Sequence, residues 1–426
     1  MKGYGNNARR RRAVIVSMLT VMAASVGIIG CGSSSSNNAS ADTQSGATSA
    51  SDASSSAGGA GKSPFHVLAI LPMSGQFAAI GTKDVAGARA AVNIVNGQGG
   101  ILGHPVTLKV VDDAGDGSTA VSALQQALAS GTQYNAIGPD GTLNQEIFPL
   151  AAALRKTPVL QVTAGADASL NNYPYLYQTS TGFTANEESM MARLKQDGIS
   201  RFAILCGDDA TGQTGAHALS TAAKQAGLTV TATVCVPDGA TDATPQLQQA
   251  AGSGAQAFAV AGFTPATPAI LKARTKLGLK TPVYLDSFAA VNNFGATNSP
   301  ADLKGVWIQD WPYLVQGDPA TQTPTWQAFH TAFAKLYPHS TSSIFGAVLA
   351  YDSIMLMRAA ATKAHSTDAK SLASVPGTIT TSTEVPGWIG PQNVYTQADH
   401  ALHVQPSDLK WYKAGPQVNG LLVPGT

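Results

Sequence analysis

Two cysteines in the middle of the chain are the residues best suited to covalent chemistry. Cys206 and Cys235 each lie near the end of an apolar run, at 202–206 and 230–236. If these runs are adjacent parallel strands joined by the intervening helix, the two sulfurs lie within reach of each other. An even pair of cysteines in an oxidising compartment is typical of a disulfide, whereas two separate buried thiols would pack as small apolar side chains. Either role is structural, because the chain has no Cys-x-x-Cys motif.

The remaining polar residues form no catalytic or metal-binding pattern. The chain lacks the Gly-x-Ser-x-Gly and His-Glu-x-x-His motifs, and its histidines are scattered without the spacing of metal ligands. The glycine-rich run from Gly97 to Gly103 follows a helical stretch and precedes a strand, the reverse of a dinucleotide-binding turn. We therefore predict that the protein is not an enzyme and that it holds no metal and no cofactor.

Composition indicates an ordinary globular body and argues against nucleic acid as a partner. The chain has 426 residues, of which 12% are charged, and its formal net charge is +1. This balance implies no basic face. The hydrophobic fraction of 44% is sufficient for a full core. About 360 residues remain beyond the N-terminal segments, a length that favours two domains.

The N-terminus has the pattern of an export signal. Arg9–Arg12 form a basic segment, and an apolar run of signal-peptide size follows at 13–30. Ile28-Ile29-Gly30-Cys31 resembles the lipobox of bacterial lipoproteins, which implies cleavage before Cys31 and a lipid on its sulfur. The alternative is an uncleaved transmembrane anchor, because the run approaches the length of a bilayer span. Both interpretations place the rest of the chain outside the cytoplasm.

The segment after Cys31 predicts a flexible tether. From Gly32 to Lys62 it contains no apolar residue larger than alanine, so it cannot bury enough surface to offset its chain entropy. We predict a signal peptide over residues 1–30 and a disordered tether over residues 31–63, which would connect a lipid anchor to the globular body.

The rest of the chain alternates strands and helices. An apolar strand at 65–71 leads through a loop containing Gly81 to a helix at 83–96, whose apolar residues recur at helical spacing. The alternation continues to about residue 181 and then restarts, which predicts an α/β body with parallel, doubly wound sheets. Such sheets bind ligands beyond the carboxyl ends of their strands. The loops predicted there are 72–81, 139–145, 163–169, 207–214, 262–267 and 286–291.

Several motifs resemble those of one family. The run from Asn96 to Gly103 is the most specific, and residues 71–75, 111–114 and 350–353 extend the match. Together they resemble the branched-chain amino-acid (Leu/Ile/Val) binding proteins, the extracytoplasmic solute receptors of ABC importers. The resemblance implies the type I periplasmic-binding fold, in which two Rossmann-like lobes are joined by a three-crossover hinge. It assigns residues 64–181 plus 313–385 to lobe 1, and residues 182–312 plus 386–426 to lobe 2.

The resemblance also implies ligand contacts. The hydroxyl that meets a ligand carboxylate falls on Thr142, two further first-lobe contacts fall on Gly165 and Asp167, and the aromatic wall of the second lobe falls on Phe263. Each residue except Gly165 has a structural alternative. Thr142 with Gln145 fits a capping box, Asp167 fits a helix cap, and Phe263 fits core packing.

Three positions depart from the family pattern. Ile80 and Thr211 stand where tyrosines are common, and Ser287 stands where an acidic residue pairs with the ligand ammonium. A buried ammonium without a counter-charge is costly, so an amino-acid ligand requires another anion. The candidate carboxylates are those of Asp167, Asp208, Asp209 and Asp286. Otherwise the ligand is an amide, a small carboxylate or another polar compound without an ammonium.

These observations predict a lipid-anchored receptor that captures an amino acid or related small molecule. Closure of the two lobes would trap the ligand, and the receptor, as a monomer, would deliver it to ABC permease subunits in the membrane. A lipoprotein that senses a ligand and signals to a membrane partner would share every feature so far and is the alternative function.

Overall fold

The computed structural model describes residues 62–425 apart from 142–143, 165–169, 181–182, 263, 290–296, 392–394, 396–398 and 403, and apart from the side chains at 76, 144, 171 and 183. The predicted signal peptide, Cys31 and nearly all of the predicted tether therefore lie outside the described residues. Within the described part of the chain, no helix combines the length and the apolar character that crossing a bilayer requires.

A parallel sheet with the strand order β2-β1-β3-β4-β5 forms the first lobe. Its strands are β1 (Phe65–Leu71), β2 (Val106–Asp112), β3 (Ala136–Asp140), β4 (Leu160–Thr163) and β5 (Leu176–Gln178). The helices between them are α1 (Ala78–Gly97), α2 (Gly117–Ala129) and α3 (Asn144–Leu154).

A second sheet, with the order β11-β10-β9-β8-β6-β7, forms the other lobe. Its strands are β6 (Arg201–Gly207), β7 (Thr229–Val236), β8 (Ala257–Ala261), β9 (Val283–Leu285), β10 (Val306–Asp310) and β11 (Lys410–Lys413). Its helices are α4 (Phe183–Gln196), α5 (Ala210–Ala226), α6 (Thr244–Gly252), α7 (Thr267–Lys276) and α8 (Pro300–Leu303). The pairing is parallel except that β11 runs antiparallel to β10.

The chain crosses between the lobes three times. It leaves lobe 1 after β5, and it returns after β10 to form α9 (Pro324–Leu336), α10 (Phe345–Ala364) and α11 (Ala369–Leu372). It then crosses back to add β11 and ends in the small hairpin β12 (Gln417–Val418) and β13 (Leu421–Leu422). The predicted two-lobed α/β architecture is thus confirmed.

Alternating side chains on the strands bury both faces of each sheet. On β1, Phe65 and Val67 pack with the apolar residues of α1 and α10, whereas Leu68 and Ile70 pack with those of α2 and α3. Strands covered on both faces are expected to be apolar throughout. The helices therefore occupy the two faces and leave the strand ends to carry the loops.

The register of lobe 2 places the two predicted cysteines side by side. β6 and β7 pair in parallel with Cys206 opposite Cys235. The Cα atoms are 4.4 Å apart, and the structure joins the two sulfurs in a disulfide. The bridge links the carboxyl end of β6, next to a candidate ligand loop, to the edge strand β7.

The double variant Cys206→Ala/Cys235→Ala should lower the free energy of unfolding by about 3–4 kcal/mol. A bridge across 29 residues restricts the unfolded chain by roughly that amount in the chain-entropy model. Chemical denaturation measures the difference, and a reducing agent should lower the melting temperature of the wild type but not that of the double variant. Equal stability of the two proteins would contradict the prediction.

Candidate ligand-binding site

The carboxyl end of the lobe 2 sheet gathers three of the predicted site residues. Thr211 lies in the first turn of α5, directly after β6, while Asp286 and Ser287 follow β9. All three side chains are buried. Since β6, β8 and β9 are neighbours in the sheet, the loops that follow them form one continuous edge.

Asp286 uses its carboxylate to hold two loops of this edge together. One oxygen accepts a hydrogen bond from the backbone N–H of Gly262, after β8, and the other accepts one from the N–H of Ala289, both at 2.6 Å. Burial raises the pKa of Asp286 to about 6, although these N–H donors favour the ionised form. The carboxylate is therefore engaged by the protein backbone on both oxygens.

The first turn of α5 packs closely against the loop after β8. Asp209 caps this helix by accepting a hydrogen bond from the N–H of Gly212 at 2.5 Å. Gly262 has a φ of +67°, and a Cβ at this position would lie 3.2 Å from the Thr211 carbonyl oxygen. A Cβ on Gly215 would lie 3.0 Å from the Gly262 Cα. Glycine at 215 and 262 therefore lets the helix and the loop approach each other.

Neutral polar side chains adjoin Ser287 near the crossing into lobe 2. The Ser287 hydroxyl donates to the Asn186 Oδ1 at 3.4 Å, and the Gln309 side-chain amide donates to the Asn186 carbonyl oxygen at 3.0 Å. Asn186 and Gln309 are fully buried. The sequence prediction missed both residues. Gln309 is the penultimate residue of β10, so a search for polar residues at the carboxyl ends of strands could have found it.

Acidic side chains cluster beside this edge where β6 and β7 end. They are Asp208, Asp209 and Asp238. Burial, together with the nearby charges of Asp209 and Asp208, raises the pKa of Asp238 to about 6. Burial also raises the pKa of Asp209.

The first-lobe predictions are only partly covered by the structure. Ile80 lies near the start of α1, where it is half-buried. Thr142, Gly165 and Asp167 lie outside the described residues, as does Phe263 of the second lobe. The structure therefore brings Thr211, Asp286 and Ser287 together on lobe 2 and places Ile80 on the other lobe.

Two buried carboxyl groups lie at the carboxyl end of the lobe 1 sheet. Asp140 ends β3 and accepts a hydrogen bond from the Gln161 side chain at 2.5 Å, and Asp113 follows β2 and accepts one from the Gly115 N–H at 2.9 Å. Burial raises the pKa of Asp140 to about 8 and that of Asp113 to about 6. Across the described ranges, no three His, Cys, Asp or Glu side chains converge in a way that could hold a metal ion.

The two carboxyl edges meet across the lobes. α3 of lobe 1 contacts α5 of lobe 2, and each helix begins where a strand of its own sheet ends. The lobes therefore approach each other on the side where open α/β sheets bind ligands. Two α/β lobes that approach each other on the side of their strand-end loops have the architecture of a two-lobed ligand-binding protein.

Comparison with known proteins identifies the family. The family model described as "Periplasmic binding protein" matches residues 64–407, and the chain belongs to this family. Curated relatives include the Leu/Ile/Val-binding protein BraC3 of Rhizobium johnstonii, 36% identical over 99 residues, which are 23% of this chain and 26% of the relative. The Leu/Ile/Val-binding protein homolog 3 of Brucella melitensis is 28% identical over 200 residues, 46% of this chain and 53% of the relative.

The matches span about a quarter and about half of the length of these two relatives. Among solved structures, a leucine binding protein from Thermotoga maritima superimposes with a TM-score of 0.67 at 18% identity, covering 81% of this chain and 97% of that protein. The similarity extends over both lobes, so the two proteins share the same fold. Together these findings confirm the resemblance to Leu/Ile/Val-binding proteins.

Proposed function

We propose that this chain is the extracytoplasmic solute-binding receptor of an ABC importer and that it captures an amino acid or a related small polar compound. The observation that carries the proposal is the contact of α3 with α5, which brings the carboxyl edges of two α/β lobes together in a member of the periplasmic binding protein family. The predicted lipid on Cys31 and the predicted tether would keep the receptor at the membrane surface.

Closure of the lobes is the proposed mechanism. A ligand that contacts both lobes interacts fully only when they are closed, so its binding shifts the population toward the closed state. Hydrogen bonds connect the third crossing of the hinge to lobe 1. Asp352 on α10 accepts hydrogen bonds from the N–H groups of Ile389 and Gly390 in the third crossing, at 3.0 and 2.9 Å. The closed receptor, acting as a monomer, would then dock on the permease subunits.

The proposed ligand class follows from the relatives and the predicted contacts. The relatives are Leu/Ile/Val-binding proteins, which favours a ligand with a carboxylate and a small apolar side chain. Thr142 and the backbone N–H groups around it would receive the carboxylate. Phe263 would form the apolar wall that receives the side chain.

A thermal-shift screen over amino acids, their amides and small carboxylic acids tests this function. A true ligand at about 100 times its Kd stabilises the folded protein by roughly 2.7 kcal/mol, and calorimetry then measures the Kd. Stabilisation by leucine, isoleucine, valine or a close analogue would support the proposal. Failure of every compound in the screen at millimolar concentration would contradict the proposed ligand class.

Phe263→Ala should weaken ligand binding by about thirtyfold, because truncating an aromatic anchor in a binding pocket costs about 2 kcal/mol. Trp307→Ala is the matched control. Trp307 lies on β10 with the Arg193 guanidinium 3.8 Å above its ring, so its truncation should lower the melting temperature and leave affinity unchanged. An unchanged Kd for Phe263→Ala in calorimetry would remove this residue from the site.

A further inference from the structure

We infer that Asp286 is a positioning residue that fixes the two candidate ligand loops of lobe 2 and does not pair with a ligand ammonium. The inference rests on the proposed function, because that proposal is what makes these two loops ligand loops. Asp286 is the carboxylate next to the position at which, by the resemblance, the family carries its acidic ligand contact. In this chain that position is Ser287, whose side chain is neutral.

The geometry of the carboxylate carries the first step. Oδ2 accepts from the Gly262 N–H and Oδ1 accepts from the Ala289 N–H, so each oxygen binds a different loop. The side chain is only 1% exposed, which leaves little surface for a ligand. Hydrogen bonds from N–H groups to a carboxylate are stronger than those between neutral groups. They offset much of the cost of burying the charge.

The residues held by Asp286 carry the second step. Gly262 directly precedes Phe263, the predicted aromatic wall, and it also packs against Gly215 and the Thr211 carbonyl of α5. Ala289 lies in the loop after β9, which begins at Asp286 and includes Ser287. A displaced Gly262 would therefore shift the Phe263 loop and the first turn of α5 together.

The surroundings of Ser287 carry the third step. Its hydroxyl donates to the Asn186 Oδ1, and the Asn186 carbonyl oxygen accepts from the Gln309 side-chain amide, so the groups that adjoin Ser287 are a carboxamide and a backbone carbonyl, both uncharged. A buried ammonium requires a counter-charge, and the neighbouring Asp286 carboxylate is engaged on both oxygens by backbone N–H groups. We therefore expect neither Asp286 nor Ser287 to supply that counter-charge.

Asp286→Asn tests the positioning role because asparagine keeps the shape but turns one acceptor into a donor. In hydrogen–deuterium exchange of the free protein, amides at 261–267 and 286–289 should exchange roughly tenfold faster, as expected when a charge-assisted hydrogen bond is lost. Asp242→Asn is the matched control. Asp242 also accepts a backbone N–H, that of Thr244 at 2.9 Å, but it is exposed, so its variant should leave both loops unchanged.

Calorimetry with leucine and with 4-methylpentanoate, which lacks the ammonium, separates positioning from ion pairing. Asp286→Asn should raise the Kd of both compounds by a similar factor of about ten. A loss confined to leucine would show a direct ion pair and overturn the inference, as would unchanged exchange of the two loops. If neither compound binds the wild type, the proposed ligand class fails, while the exchange experiment still decides the role of Asp286.

Ser287→Asp provides an independent test, should Asp286→Asn fail to fold. It restores an acidic side chain at the family position. We expect the preference for leucine over 4-methylpentanoate to rise by about tenfold, the gain typical of a charge-assisted contact. An unchanged preference would place the ammonium elsewhere and contradict the neutral contact assigned to Ser287.

Discussion

Between about pH 5.5 and about pH 7.5 the free energy of unfolding should fall by several kcal/mol, because each proton that the folded chain holds in excess of the unfolded chain contributes about 1.4 kcal/mol per pH unit. The excess protons are held by buried carboxyl groups. Burial raises the pKa of Asp113 and Asp286 to about 6. It raises the pKa of Asp140, Asp310 and Asp352 to about 8.

The sign follows from proton binding in the two states. An aspartate in the unfolded chain has its ordinary pKa near 4, so it has lost its proton by about pH 5. In the folded chain the raised pKa retains the proton, so folding is favoured at acid pH and the advantage is lost as the pH rises through the folded pKa. His400 opposes this trend, because burial lowers its pKa. The lowered pKa of Lys83, about 8 through burial, acts mainly above this range.

Chemical denaturation at a series of pH values measures the slope of the free energy of unfolding against pH. Asp140→Asn should reduce this slope, because it removes a group that keeps its proton in the folded chain but not in the unfolded chain over this range. The variant still leaves an oxygen to accept from Gln161. Asp242→Asn is the control. Hydrogen bonds from Thr244 lower the pKa of the exposed Asp242, so this variant should have the wild-type slope. Stability that rises with pH over the same range would contradict the assignment.

The architecture was predictable because the signals that specify it are local. The predicted strand at 65–71 coincides with β1, and the predicted helix at 83–96 lies within α1. Apolar residues at a spacing of two or of about 3.6 are visible in a short window of sequence. Their alternation was sufficient to predict two parallel sheets.

The start of α1 was predicted wrongly, and the reason is tertiary. The sequence places Gly81 in a loop, but α1 begins at Ala78 and includes it. A Cβ at Gly81 would overlap the carbonyl group of Pro72, so this glycine permits a close approach between the helix and the preceding segment. Glycine has the same appearance in a sequence whether it breaks a helix or allows one to pack closely.

The candidate site was predictable in position but not in detail. The rule that ligands bind beyond strand ends selected the loops at 207–214 and 286–291, and the family resemblance selected Thr211, Asp286 and Ser287 within them. The structure places these three residues on one edge. The hydrogen bond from Gly262 to Asp286 joins residues 24 positions apart, and it depends on loop geometry that no local pattern encodes. Asn186 lies on the helix after a lobe crossing rather than at a strand end, so the same rule could not find it.

Gly87→Ala should destabilise the protein by roughly 3 kcal/mol, near the upper end of the cost of overpacking. α1 and α10 cover one face of the lobe 1 sheet and touch at Gly87. A Cβ at this position would lie 2.7 Å from the Cα of Ala347 and closer still to its carbonyl oxygen. Because these atoms are backbone, no side-chain rotation relieves the overlap, and the two helices must separate.

Gly97→Ala provides the matched control on the same helix. A Cβ at Gly97, the last residue of α1, would meet no atom within 4 Å, so alanine there should be neutral or stabilising by up to about 1 kcal/mol. Chemical denaturation of both variants measures the contrast. Because α10 also carries Asp352, which holds the third crossing, separation of the helices by Gly87→Ala should weaken ligand binding as well. Wild-type stability of Gly87→Ala would mean that the helices can separate freely and that their close packing does not position the hinge.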